Sequence, residues 1–90
     1  IEGAGDPAEL RAKAEAAPDD ARAHYELARA LIASGDLQGG ANALLDSIAA
    51  DRDWNDQAAR KLLLQVFDAA GPGSDVAKAG RRRLSSILFA

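Results

Sequence analysis

Three short clusters in this chain carry residue types that chemistry uses. Asp51-x-Asp53-x-Asn55 has the oxygen ligands and alternate spacing that open a calcium loop. Such a loop needs glycine at its sixth position for the turn and a bidentate glutamate at its twelfth. Asp56 and Leu62 stand there instead, so the cluster reads as turn and helix-cap residues. His24, the chain's single histidine, follows Asp19 and Asp20 closely enough to suggest a metal site or an acid–base pair. One imidazole without a second set of ligands builds neither, and His24 reads as structural. Gly71-Pro72-Gly73-Ser74 lacks the lysine and the preceding strand of a phosphate loop and reads as a connector. No serine or threonine has a base at useful spacing. The absence of cysteine removes thiol nucleophiles, disulfides and zinc-finger spacings. The sequence therefore predicts no enzyme, no cofactor and no metal.

What remains is a set of helices. Asp6-Pro7-Ala8-Glu9 is a helix start, with Asp6 as cap, Pro7 at the first position and Glu9 completing a capping-box-like arrangement. This helix runs to about Ala17, before Pro18. Asp19 and Asp20 cap a second, about Ala21 to Ser34, which Gly35 ends in the left-handed conformation. Asp36 caps a third, reaching about Ala50 with a core stripe of Leu37, Ala41, Leu44, Leu45 and Ile48. A fourth is expected from Trp54 or Asn55 to Ala70, with Ala59, Leu62, Leu63, Val66 and Phe67 inward. A fifth opens at Ser74 or Asp75 and runs nearly to the end, with the stripe Val76, Gly80, Leu84, Ile87 and Leu88. Gly39-Gly40, inside the third helix, costs about 2 kcal/mol against two alanines; close packing against a neighbouring helix is the expected reason.

Ninety residues suit one small all-α domain over residues 6–90, with residues 1–5 a disordered or linker N-terminus. Abundant alanine and few aromatics favour helices in close contact. A net charge of −3 favours solubility and argues against wholesale nucleic-acid binding. No apolar run approaches the ~18 residues of a membrane span, no signal peptide is visible, and a cytoplasmic location is expected. Because the chain begins at Ile1 without methionine, it is expected to be a fragment whose missing portion could carry further activity.

Residues 21–54 form a unit of 34 residues with the skeleton Tyr25, Leu27-Ala28, Leu31, Gly35-Asp36-Leu37, Gly40, Leu44 and Ile48. That period and pattern resemble a tetratricopeptide (TPR) unit, a pair of antiparallel helices that buries its apolar face only by stacking. Leu10 to Asp20 resembles the second half of a preceding unit. After Trp54 the period drifts, with Leu62-Leu63-Leu64 where small pairs are usual. The fold implied is a short, self-capped, TPR-like antiparallel array of about five helices.

A narrower resemblance covers Leu10 to Phe89. Asp51-Arg52-Asp53-Trp54-Asn55-Asp56, Ala59-Arg60-Lys61-Leu62-Leu63, Phe67-Asp68, Gly71 and Arg81-Arg82-Arg83-Leu84-Ser85-Ser86-Ile87-Leu88-Phe89 resemble the C-terminal domain of bacterial thioredoxin-like co-chaperones, the chaperedoxins. The Arg-Asp-Trp corner and the closing Arg-Arg-Arg-Leu-Ser-Ser segment are the most specific parts. The resemblance implies a protein-binding domain that follows a thioredoxin domain, holds unfolding or oxidised clients and passes them to a chaperonin, with the final helix in docking. Redox or thiol-trapping activity would then lie outside these residues.

Two surfaces are candidates for contact with protein. On the second helix, TPR geometry places Arg22, Tyr25, Arg29 and Ile32 on an inner face, and tyrosine and arginine are enriched at interface hot spots. Packing of Tyr25 and Ile32 on neighbouring helices is the competing role. The lysine and asparagines of carboxylate-clamp TPRs are absent. On the last helix, Arg81, Arg82, Leu84, Leu88 and Phe89 form an apolar tip beside cations, which either seals the array or inserts into a partner's groove. The sequence thus predicts a protein–protein interaction module, with client proteins or a chaperonin as partners. The alternative is a generic TPR scaffold or homo-oligomerisation domain with an unrelated partner. Nucleic acid and membrane rest only on the cluster at Arg81–Arg83 and are not expected.

Overall fold

The computed structural model describes residues 6–89, and the N-terminal segment expected as disorder or linker, residues 1–5, lies outside them. Five helices follow in order: α1 (Pro7–Ala16), α2 (Ala21–Ala33), α3 (Leu37–Ala50), α4 (Ala58–Ala70) and α5 (Asp75–Phe89). Each packs on the next, and α5 also folds back onto α3.

Capping acids set the starts of the first three. Asp6 Oδ1 accepts from the Ala8 amide at 3.0 Å, and Asp20 Oδ1 accepts from Arg22 N at 3.0 Å and Ala23 N at 3.3 Å. Asp36 Oδ1 accepts from Gly39 N at 2.8 Å. Each bond satisfies an amide that the helix itself leaves unpaired. Asp19 takes no part, so one of the two expected caps for α2 acts alone. Gly35 closes α2 at φ 92°, as a left-handed C-terminal position requires.

The tightest seam lies between α2 and α3. Ala28 and Leu44 are fully buried, and Ala41 and Leu45 nearly so. At Gly40 a Cβ would stand 2.6 Å from Ile32 Cγ1 and 3.5 Å from the Ala28 carbonyl oxygen, so the glycine is what admits this approach. Gly39 has a different neighbour: its missing Cβ would meet the Asp36 carboxylate that caps α3. Ser47, completely buried, donates its hydroxyl to Ala21 O at 2.8 Å and ties α3 to the start of α2.

The fourth helix begins later than the sequence suggests. Residues 51–57 form a corner instead of its first turn, and Asn55, Asp56 and Gln57 all have positive φ (50°, 57° and 62°). Asparagine and aspartate tolerate this region through local hydrogen bonding; glutamine has no such help. The corner is closed by Trp54 N to Asp51 O at 3.2 Å, Gln57 N to Trp54 O at 3.1 Å and Ala58 N to Asn55 O at 3.1 Å. Ala59, Leu63, Val66 and Phe67 of α4 are buried as expected, while Leu62 is half-buried. Gly80 of α5 lies against the Phe67 ring, where a Cβ would collide with Cε1. Ala77 and Leu84 complete the seal.

Candidate functional site

The residues that looked able to do chemistry have structural partners. Asp51 Oδ1 accepts from Asp53 N at 3.1 Å, a turn bond. His24, buried, places Nε2 2.8 Å from the Pro18 carbonyl oxygen and so clasps the α1–α2 loop. Ser74 donates to Gly71 O at 2.6 Å and accepts from Ala77 N at 3.2 Å, which makes it the start of α5.

The first candidate surface is assembled across a long stretch of sequence. The Tyr25 ring on α2 meets the Trp54 ring of the corner with centroids 5.1 Å apart and planes tilted by 57°. This is a favourable aromatic geometry. Around the pair lies a recess of about 390 Å³ lined by Arg22, Glu26, Arg29 and Asn55. Arg22 is held by Glu26 at 3.1 Å one turn on. Arg29 is exposed and has no hydrogen bond or ion pair among the described residues, which leaves its guanidinium available. Ile32 does not join this group. It is half-buried against Gly40 and the core. Trp54 belongs to the surface but was not a sequence candidate; its signal was a large aromatic in a polar corner.

The second surface surrounds the end of α5, and its residues divide. Leu84 is a core residue, only 8% exposed, so its side chain is not available to a partner. Arg81 donates from Nη2 to Pro72 O at 2.8 Å and steadies the α4–α5 connection. Its neighbour Arg83 bridges to Asp46 on α3 at 2.6 Å. Arg82 is exposed and makes no such bond among the described residues. Leu88 is half-buried against the core, while Phe89 is 82% exposed. Beside them a recess of about 320 Å³ is lined by Ile48, Arg52, Asp53, Gln57 and Arg60. Arg52 donates from Nη1 to Leu88 O at 3.3 Å, placing a cation at a carbonyl end that the helix leaves unpaired. The corner residue Arg52 is thus part of the tip, which only the folded chain reveals.

No helix among the described residues is long and apolar enough to cross a membrane. No curated protein and no solved structure matches the chain significantly. A family model described as tetratricopeptide repeat matches residues 2–89, nearly the whole sequence. Its helical pairs are the α-hairpins seen here, joined through glycine and alanine where the backbones approach, and this chain belongs to the tetratricopeptide repeat family.

Proposed function

We propose that this domain is the protein-binding portion of a thioredoxin-like chaperone, one that engages client proteins and docks on a chaperonin through the end of α5. A tetratricopeptide repeat domain is a protein–protein interaction module. The chaperone role rests on the resemblance of the Arg52-Asp53-Trp54 corner and of the Arg81–Phe89 segment, and action in the cytoplasm goes with it. The observation that carries the docking role is Phe89, 82% exposed at the end of a helix whose Leu84 is buried and whose Ile87 and Leu88 are half-buried. A partner that covered this ring would bury most of a large aromatic side chain. Arg52 and Arg60 line the recess beside it, which favours a partner with an acidic rim around an apolar groove. Tyr25, Trp54 and Arg29 form the second contact surface.

The arginine run does not favour nucleic acid or anionic lipid. Arg81 and Arg83 are engaged within the domain, so one of the three is fully available.

Truncation after Arg83 would remove the core residue Leu84 and confuse docking with folding. Phe89→Ser is the cleaner variant. It should keep the thermal midpoint of the parent domain and lose co-migration with purified chaperonin in size-exclusion chromatography. Retained co-migration with an unchanged midpoint would refute the docking role.

A further inference from the structure

The two contact surfaces share one segment, the corner 51–57. Its Trp54 and Asn55 line the recess beside Tyr25, while its Arg52, Asp53 and Gln57 line the recess beside Phe89. Little holds the corner in place. Trp54 is half-buried, and the other six residues are exposed. Among the described residues its bonds run within the corner or to the adjoining ends of α3 and α4, with two exceptions. The Trp54 ring rests on Tyr25 of α2, and Arg52 Nη1 donates to Leu88 O at the end of α5.

Those two ties act against strain. Asn55, Asp56 and Gln57 are consecutive left-handed residues, none of them glycine, at φ 50°, 57° and 62°. A Cβ makes this backbone costly, least for asparagine and aspartate and most for glutamine. Such angles persist where the surroundings impose them. Here the surroundings are one aromatic contact on α2 and one cation–carbonyl bond on α5. Loss of either leaves the strained turn tied at one end.

We propose that the corner is a latch that opens as one unit and makes occupancy of the two surfaces antagonistic. The antagonism rests on the docking role given above; the latch itself does not. A partner with an acidic rim offers Arg52 a carboxylate, whose full charge attracts the guanidinium more strongly than the Leu88 carbonyl does. Arg52 then leaves Leu88 O and the strained turn relaxes. Trp54 lifts from Tyr25, and the first recess loses a wall. By reciprocity, a partner that presses Trp54 onto Tyr25 keeps Arg52 at the end of α5 and weakens docking there.

The latch is tested on the whole domain without a partner, by solvent-exchange NMR at the Asp53, Gln57 and Ala58 amides and the Trp54 indole N–H. Arg52→Met keeps the stem and removes the donor to Leu88 O. It should speed exchange at Gln57, Ala58 and the indole about two- to five-fold. Tyr25→Leu, at the other tie, should speed exchange at Asp53 about two- to ten-fold. Gln57→Gly should slow all of these about two- to five-fold, because the closed corner loses its strain. The buried Leu44 and Leu63 should keep amide exchange far slower than the corner in every variant, as local opening requires. Parent rates at the far tie in Arg52→Met or Tyr25→Leu would overturn the latch, as would faster exchange in Gln57→Gly or corner rates equal to those of Leu44 and Leu63. For the antagonism, Tyr25→Leu should bind purified chaperonin about two- to ten-fold more tightly than the parent, and weaker or equal binding would overturn it. A parent that does not bind chaperonin refutes the docking role and the antagonism with it, and the exchange rates still decide the latch.

Discussion

The α2–α3 hairpin and the α4–α5 half are both helix pairs of the same domain and reach opposite states of completion. The first is joined by three residues, 34–36, with glycine at the left-handed position and an aspartate cap on each helix. Its seam is alanine and glycine, and it leaves no large apolar side chain exposed. The second is reached through a seven-residue corner, 51–57, and α4 starts without a side-chain cap. Its larger residues seal the core and overflow it, leaving Leu64 50% and Phe89 82% exposed. Small residues let two helices satisfy each other; bulky ones on a terminal pair fill the core and leave apolar area for something else.

Perturbations should separate the two halves. The largest effect is expected from Gly40→Leu, which forces Ile32 and the α2 backbone outward and should cost about 3 kcal/mol in urea unfolding. Retained stability would mean the seam has slack. Asp20→Ala should cost about 1 kcal/mol, because two amides at the start of α2 lose their acceptor. Gln57→Gly in the corner should act in the other direction, raising stability by up to about 1 kcal/mol as a left-handed residue is relieved of its Cβ. A loss there would show that the Gln57 side chain matters more than its backbone. Smallest is Phe89→Ser, expected within about 0.5 kcal/mol of the parent in the same denaturant series. A larger loss would place the tip in the core.

Local chemistry made the first half legible. Asp6, Asp20, Asp36, Gly35 and Gly40 act through neighbours a few residues away or through a periodic face, and their roles can be read from spacing. The start of α4 was read three or four residues early, because Asn55, Asp56 and Gln57 carry no glycine to announce left-handed backbone. The stripe on α5 was legible, but which of its members stay exposed was not. Leu84 and Phe89 look alike in the pattern, and only the fold-back of α5 onto α3 divides them. The arginine cluster misled in the same way, since the partners of Arg81 and Arg83 are Pro72 and Asp46, the latter on another helix.

Tyr25 and Trp54 are the chain's one tyrosine and one tryptophan, and they touch. Light absorbed by the phenol will therefore pass to the indole while the corner rests on α2. Tyrosine emission should stay dark until that contact opens. Departure of the corner can thus be followed separately from general unfolding, with no dye attached.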